Sequence, residues 1–408
     1  MTFPVEWLRI IRISKRPCRK GRIKLYLFLL IVIYLSFVGL GLPEPVLGSL
    51  WPVMRTEFAA SLDFAGVISL ILTVSKTLSG LITDRIDKKI GHGCASMLSM
   101  LVMALSLYGC ALSRSETMIC LFTFPLGAAS GIIDTAINDY VSRNYSSRHM
   151  SWLHCSWGVG SMLSPFAIGF LLSCGRSWRA GYVFVASVQI VITVLLIISL
   201  PHWKKISDSP DSDSGISVMP IKDVVRLPGI VFTFLALFSY CGAEVTASLW
   251  SSSFLIEARG LDAETAATCT SAIFIGITLG RFLSSFIADR VGDLRMARTG
   301  AAIAFIGSLL MFIPSSAVFL PLAGLFIVGL GCSTIVPSLI HSVPELYGHS
   351  HTSTIVGIDM ALAHAGSALM PPLFGVIAEK ISIRLFPVYI FLLMAVLLFS
   401  TIKIARRA

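Results

Sequence analysis

The chain has 408 residues, of which 55% are hydrophobic and only 13% are charged, and its formal net charge is +10. Soluble domains carry about 25% charged residues, so this composition excludes a soluble globular fold and any large domain outside a membrane. It predicts a polytopic membrane protein, because each helix that crosses a bilayer needs roughly 20 mainly apolar residues.

Twelve apolar spans follow one another along the chain and predict an all-α membrane protein. The spans lie at residues 25–50, 62–83, 94–113, 117–139, 151–174, 180–200, 228–255, 264–287, 297–316, 319–341, 352–377 and 385–403. The first span follows a basic stretch and lacks a small-residue cleavage site, so we expect it to stay as a helix.

A polar run at residues 208–215 separates spans six and seven and is typical of a disordered linker. It divides the chain into two six-helix bundles. The predicted organisation is a basic N-terminal segment (1–24), an N-terminal bundle (25–200), a linker (201–227), a C-terminal bundle (228–403) and a tail (404–408).

Lysine and arginine residues are distributed unevenly between the two sides of these spans. With the N-terminus inside, the inner segments hold 23 of them and the outer loops hold 7. This bias predicts that both termini are cytoplasmic, in a plasma or bacterial inner membrane. The positive charge is therefore a topology signal, and it gives no reason to predict nucleic-acid binding. The nine cysteines form no CxxC pair, so we predict no metal site and no cofactor, and we expect a monomer in the lipid bilayer.

Short motifs recur in the two halves and predict that these are parallel repeats. Residues 76–85 match 281–290 at an offset of 205, and residues 160–169 match 366–375 at an offset of 206. Ser-Leu-Trp at 49–51 also recurs at 248–250. Two pseudo-symmetric bundles of this kind place a substrate site near the bilayer midplane, and access to it alternates by rocking.

The duplicated Asp-Arg segments at the cytoplasmic ends of spans two and eight are the predicted gating loops. Gly80 would let span two approach a neighbour closely. Asp84 would then accept hydrogen bonds from backbone or cationic groups, and with Arg85 it would form a latch for the outward-facing state. Asp289 and Arg290 would do the same in the second half. The alternative is that these are ordinary basic loops.

Acidic residues inside the apolar spans are the candidates for proton coupling, because an unpaired intramembrane charge persists only beside a partner or a cavity. Asp134 and His154 flank the turn between spans four and five at similar distances, so they should lie at similar depth and could share a proton. The alternative is a buried structural pair that links the two helices.

Glu44 lies between two prolines that should break span one. Glu244 is its counterpart in span seven. We expect both to line a cavity, with structural pairing as the alternative, and we expect Trp51 and Trp250 to be interfacial belt residues.

The predicted substrate-binding residues are Asn138, Trp157 and Tyr240, together with the two glutamates. The amide of Asn138, one turn after Asp134, could bind a hydroxylated solute. Trp157 offers a ring face that suits a sugar or an aromatic compound, although simple packing explains it equally well.

The pattern Gly80-x-x-x-Asp84-Arg85-x-x-Lys88-Lys89, with its copy at Asp289-Arg290-Val-Gly292, resembles the loop signature of the major facilitator superfamily. The first copy has Asp87 and the second Ser285 where that signature has glycine. Further motifs resemble the branch that contains the fucose–proton symporters; these are Gly131 to Asn138, Leu153 to Pro165, Tyr240 to Glu244 and Gly329 to Pro337. The resemblance implies the major facilitator fold, and it implies proton-coupling roles for Asp134 and Glu44.

These features predict a secondary active transporter that moves a small solute by alternating access, with proton-coupled symport of a sugar or similar polar molecule favoured. The chain has no GxxxxGK[ST] loop for ATP and no hydrolase motif, so an enzyme is not expected. A proton-driven exporter of amphipathic drugs or metabolites is the alternative, and a non-transporting receptor is a further one.

Overall fold

The computed structural model describes residues 20–145, 147–203, 221–313, 319–348 and 352–406, and these ranges are almost entirely helical. The start of the basic N-terminal segment, most of the predicted linker and the last two residues lie outside them. The side chain of Asp289 also lies outside what the structure describes.

The helices are numbered in chain order. They are α1 (Lys20–Gly41), α2 (Val46–Phe58), α3 (Phe64–Ile90), α4 (His92–Leu112), α5 (Glu116–Asn144), α6 (Ser147–Ser173), α7 (Trp178–Trp203), α8 (Ile221–Val224), α9 (Ile230–Arg259), α10 (Ala263–Cys269), α11 (Ser271–Val291), α12 (Asp293–Leu310), α13 (Phe319–Cys332), α14 (Ile335–Tyr347), α15 (Thr352–Ile377) and α16 (Phe386–Ala405). A π-helical turn (Ala378–Ser382) and a 3₁₀ turn (Ile383–Leu385) join α15 to α16.

Within the described residues, the helices follow the twelve predicted spans one by one. Ten stretches are long and apolar enough to cross a membrane; the last of these, Thr354–Ala405, contains both α15 and α16. The 18-residue helix α12 supplies the remaining span. Three spans are made of two helices each, namely α1 with α2, α10 with α11, and α13 with α14. The predicted all-α membrane fold of two bundles is confirmed.

Span one breaks where its two prolines predict a break. Residues 42–45 form a turn between α1 and α2, and the Val46 amide donates to the Pro43 carbonyl across it. A proline has no amide hydrogen to donate to the helical ladder. The break therefore exposes backbone beside Glu44, midway along the span.

Two glycines form equivalent turns at the predicted cytoplasmic face. Gly91 ends α3 with a φ of 82°, and Gly292 ends α11 with a φ of 84°. Glycine adopts this region without the clash that a Cβ atom would cause. The two turns lie at matching positions of the two bundles, as expected for a duplicated fold.

Close helix packing inside the bundles depends on glycines of α5, and this corrects the role expected of Gly80. A Cβ on Gly127 or Gly131 would overlap the Leu72 or Lys76 carbonyl of α3. A Cβ on Gly80 would instead lie 3.4 Å from the Thr135 hydroxyl, an ordinary contact. The close approach of α3 to α5 therefore takes place one to two turns from Gly80, and the small residues belong to α5.

The two bundles meet mainly through α2, α3 and α6 of the N-terminal bundle. Gly48 of α2 approaches the Ser248 carbonyl of α9, Gly66 of α3 approaches Pro372 of α15, and α6 packs on α10 and α11. At the predicted external face, Arg55 and Glu257 form an ion pair of 2.8 Å between the bundles. This face is closed.

The two repeated tryptophans are buried, so the expectation of an interfacial belt is wrong for both. The Trp51 indole donates to the Leu62 carbonyl at 3.0 Å, and the Trp250 indole donates to the Pro371 carbonyl at 2.9 Å. Both rings are fully buried. Both satisfy backbone carbonyls inside the protein, but at non-equivalent places: Leu62 precedes α3, whereas Pro371 lies within α15.

Candidate proton and substrate site

Charged side chains from four helical segments meet between the two bundles. Nζ of Lys76 on α3 lies 3.7 Å from Oδ2 of Asp134 on α5. Glu44, from the break in span one, and Glu244, on α9, also interact electrostatically with the Lys76 ammonium. Three of the four predicted proton-coupling residues thus lie within electrostatic reach of one lysine, and Lys76, Asp134, Glu44 and Glu244 are called the central cluster below.

Beside the cluster, the two bundles repeat one arrangement of an acid and a base. Glu44 interacts electrostatically with Lys76 in the N-terminal bundle, and Glu244 interacts with Arg281 of α11 in the C-terminal bundle. Asp134 has no acidic counterpart, because residues 334–340, the corresponding stretch of the second half, contain no acid. The N-terminal arrangement therefore has a second acid and the C-terminal one does not.

Asn138 is engaged with the Asp134 residue itself. Its amide nitrogen donates to Oδ1 of Asp134 at 2.8 Å and to the Asp134 backbone carbonyl at 2.9 Å. These bonds hold the carboxylate in a fixed rotamer that faces Lys76. In this conformation the Asn138 amide nitrogen is occupied, and its oxygen is the atom left for a solute.

His154 lies near Asp134, but the two are not hydrogen-bonded within the described residues. The imidazole interacts electrostatically with Arg281 and with Asp134, and its ring packs edge-on against Phe37 at 5.9 Å. The similar depth expected from the sequence is consistent with this placement. The carboxylate itself contacts Lys76 instead.

Trp157 connects the two bundles. Its ring packs edge-on against Phe274 of α11 at 6.1 Å, and the Arg281 guanidinium lies 5.4 Å from its ring centre. The next residue, Gly158, lies against the Thr278 side chain. Trp157 therefore has a packing role across the interface and also presents a half-buried ring beside the cluster.

A cavity lies on the external side of the cluster, and both glutamates line it. Pro43 and Glu44 of the N-terminal bundle line it together with Glu244, Ser248 and Phe274 of the C-terminal bundle. Most of its other lining residues are apolar. Tyr240 lies one turn before Glu244 and is buried. Its hydroxyl is placed to donate a hydrogen bond to the Glu244 carboxylate. Tyr240 does not line this cavity.

The cluster is partly exposed in this conformation. The Lys76 and Asp134 side chains keep 23% and 31% of their surface exposed. At the predicted external face the two bundles are joined by the Arg55–Glu257 pair and by the Leu62 amide, which donates to Glu379 at 2.8 Å. The bundles are therefore closed against each other at that face.

The predicted gating residues make no contact between helices in this conformation, as far as the described side chains go. Asp84 pairs with Lys88 of the same helix at 2.9 Å, and 65% of its side chain is exposed. Arg85 and Arg290 are exposed. The side chain of Asp289 is not described, so its gating role stays a prediction.

Sequence comparison identifies the family. Residues 26–318 and 232–406 match the profile of the Major Facilitator Superfamily. The chain belongs to this superfamily. It is 22% identical over 420 aligned positions to "Bypass of stop codon protein 6" of Saccharomyces cerevisiae, with 94% of this chain and 84% of the yeast protein covered. It is 23% identical over 358 positions to an uncharacterised MFS-type transporter of Yersinia pestis, with 86% of this chain and 88% of that protein covered.

This superfamily member is thus a multi-pass membrane transporter.

Its structure also contains a mirrored pair of contacts that sequence patterns did not reveal. His92, after the first turn glycine, contacts Asp139 at 2.8 Å, and Asp293, after the second, contacts His341 at 2.6 Å. In the sequence, the only sign of these two pairs is that His92 and Asp293 each follow a turn glycine. Their partners lie about 48 residues further along the chain.

Proposed function

We propose that this superfamily member is a proton-coupled secondary transporter that moves a small polar solute by alternating access. The observation that carries the proposal is the central cluster, in which Lys76 pairs with Asp134 and lies within electrostatic reach of two glutamates between the bundles. Ionised groups inside a bilayer are costly unless they are paired or face water. A cluster of this kind at a bundle interface is where a gradient can be coupled to a solute.

Protonation of Asp134 would change the pairing of Lys76. A neutral carboxyl no longer attracts the ammonium, so Lys76 would turn towards Glu44, and the Asn138 amide would be released from a charged partner. Both changes alter the groups offered to a solute next to the cavity. Proton and solute binding would thereby affect the same few side chains, which is the condition for coupling.

The solute that fits best is a sugar or similar hydroxylated molecule in symport with a proton. Glu44 and Glu244 on the cavity wall accept hydrogen bonds from hydroxyl groups, and the Trp157 ring beside Arg281 suits the C–H face of a sugar. The resemblance to the fucose–proton symporter branch supports the same assignment. The external face is closed over the cavity, which is what one end state of an alternating-access cycle requires.

Uptake into proteoliposomes tests the proposal. A thermal-shift screen of sugars first identifies a ligand, and its uptake is then measured with and without an imposed pH gradient. We expect gradient-dependent uptake that is lost in Asp134→Asn and kept in Asp223→Asn, the matched control in the short helix α8. Uptake that is independent of the gradient, or unchanged in Asp134→Asn, would refute proton coupling.

A proton-driven exporter of amphipathic compounds is the second candidate, and the mainly apolar cavity wall favours it. Leu47, Ile68, Leu72, Leu126 and Phe274 all line the cavity. In the thermal-shift screen, an exporter would be stabilised by lipophilic cations and not by sugars. If a ligand stabilises the protein but never supports counterflow, a non-transporting receptor becomes the better description.

We also propose that both termini are cytoplasmic, on the 23:7 distribution of Lys and Arg, that the membrane is a plasma or inner membrane, and that the protein acts as a monomer. A protease site added at the C-terminus of the full chain tests the orientation. It should be cleaved only after right-side-out vesicles are opened. Cleavage in intact vesicles would reverse the assignment.

A further inference from the structure

We propose that Asp359 on α15 is a second proton-binding site of this protein, separate from the central cluster. Its carboxyl group holds a proton in the conformation described above and releases it to water when α15 separates from α9.

Asp359 is completely buried and has no polar partner. Its exposed fraction is 0%. Both carboxyl oxygens are inaccessible to solvent, and neither makes a hydrogen bond within the described part of the chain. An ionised carboxylate without a partner costs several kcal/mol or more in an apolar interior, whereas a neutral carboxyl costs far less. The packing therefore accommodates the protonated form.

The carboxyl lies on the face of α15 that packs against α9. Ile355, Asp359, Ala363 and Gly366 recur at helical spacing, and all four are buried. A Cβ on Gly366 would overlap the Phe238 carbonyl of α9, so the two backbones touch two turns beyond Asp359. One turn before it, Ile355 belongs to an apolar cluster with Val224, Ile230 and Val343.

Among the described residues, no charged group compensates the acid, and Asp359 forms no ion pair. Tyr240 and Glu244, on α9, lie several turns further along that helix, and the α3 ammonium Lys76 acts on His364 instead. Tyr347 of α14 is hydrogen-bonded to Thr233. A proton is therefore the ligand that neutralises this group.

Release of the proton requires water at the α9–α15 interface. When the interface opens, the O–H bond of the carboxyl breaks, the proton passes to water, and the carboxylate becomes hydrated. Opening of the interface is thus linked to proton release in the C-terminal bundle. This site does not depend on Asp134, which lies in the other bundle.

Infrared spectroscopy of the full-length protein in lipid nanodiscs at neutral pH tests the proposal directly. A protonated carboxyl has a carbonyl stretch distinct from the bands of a carboxylate. We expect this band in the wild type, loss of one component in Asp359→Asn, and no change in Asp223→Asn. An identical band in the wild type and Asp359→Asn would overturn the proposal.

The pH dependence of thermal unfolding is a second measurement. The packed state binds a proton that the unfolded chain gives up above acidic pH, so the wild type should lose stability relative to Asp359→Asn as pH rises. Parallel curves for the two proteins would contradict the proposal. If Asp359→Asn does not accumulate, Asp359→Ser, which also cannot ionise, replaces it in both experiments.

Discussion

At the scale of single residues, the central cluster is defined by a break in symmetry. Lys76 and Arg281 occupy equivalent positions of the two bundles, yet Lys76 has an acid within ion-pair distance and Arg281 lies over an aromatic ring. The difference is Asp134, because residues 334–340, the corresponding stretch of the second half, contain no acid. An acid retained in one repeat only is a better candidate for coupling than a pair present in both.

The Lys76–Asp134 pair should be measurable as a coupling energy. Asp134→Asn leaves Lys76 with one acid fewer, so the loss of stability should be smaller when Lys76 is already glutamine. Residues in direct contact couple by about 0.5–3 kcal/mol, and the partial exposure of this pair favours the lower half of that range. Thermal unfolding of the wild type, both single variants and the double variant measures the coupling. Additive effects would show that the pair contributes nothing.

The two buried tryptophans should each contribute through the indole hydrogen bond. In Trp51→Phe or Trp250→Phe, the Leu62 or Pro371 carbonyl loses its side-chain donor. An unsatisfied buried group costs about 1–3 kcal/mol. The matched control is Trp152→Phe, whose side chain is 55% exposed and should stay within about 0.5 kcal/mol of the wild type. Equal effects at all three positions would refute the assigned role.

At the scale of helices, glycines decide which faces come together. Backbone carbonyls of α3 pack closely against Gly127 and Gly131 of α5. Gly80 of α3 takes no part in this close contact. A sequence motif shows that a small residue is present. It does not show which helix approaches it.

Gly131→Ala and Gly80→Ala should therefore behave differently. The new methyl group at residue 131 would overlap the Lys76 carbonyl, and overpacking of this kind costs about 1–3 kcal/mol. At residue 80 there is room, and alanine favours the helix by up to about 1 kcal/mol. Thermal unfolding of the two variants compares them. A larger loss of stability in Gly80→Ala than in Gly131→Ala would show that Gly80 is the close-packing residue after all.

Helix α10 begins with a side-chain cap that should give a pH-dependent contribution. The amide and hydroxyl of Thr265 donate to the Asp262 carboxylate at 2.8 and 2.9 Å, and these bonds hold the pKa of Asp262 below its usual value. Asp262→Ala should cost about 1 kcal/mol at neutral pH. Because the pKa is lowered in the folded state, the contribution is complete above about pH 3.9 and disappears as pH falls through the folded-state value.

The control for the cap is Asp262→Asn, whose amide oxygen still accepts a hydrogen bond but does not titrate in this range. Thermal unfolding at neutral and acidic pH should show a difference between wild type and Asp262→Ala that shrinks on acidification. A difference that stays constant would mean that the carboxylate charge plays no part.

At the scale of the whole molecule, the conformation is defined by where the bundles touch. The Arg55–Glu257 pair and the Leu62–Glu379 bond close the predicted external face, while the Lys76 and Asp134 side chains of the central cluster stay partly exposed. These contacts join residues about 200 and more than 300 positions apart in the chain. They belong to one state of the bundle interface.

Weakening the closed face should make the cavity more accessible from that side. Glu257→Gln removes an ion pair that is partly exposed, and such pairs are worth about 0.2–1 kcal/mol, or up to roughly fivefold in population. The measurement is labelling of Ser248→Cys, on the cavity wall, by an impermeant thiol reagent in a background without the native cysteines. We expect faster labelling after Glu257→Gln. The exchanged pair Arg55→Glu with Glu257→Arg is the control and should return the rate towards the starting value.

Most of the fold followed from local patterns, whereas the site followed only in part. The sequence identified Asp134, Glu44 and Glu244 as unusual because acids are rare in apolar spans. It paired Asp134 with His154 from their distance to a shared turn. The structure shows Lys76 as the contact, since depth along two helices does not determine how each helix is rotated about its axis.

The sequence by itself determined the helical membrane fold, the position of nearly every span and the duplication. The physical reason is that a bilayer requires long apolar helices with internally satisfied backbones, and this requirement is local in the chain. Only the tertiary structure decided which charges pair, which glycines receive a neighbouring helix, that Trp51 and Trp250 are buried, and that Asp359 has no partner. Each of these depends on the rotation and crossing of helices far apart in sequence, and side-chain packing between helices, rather than any local pattern, sets that geometry.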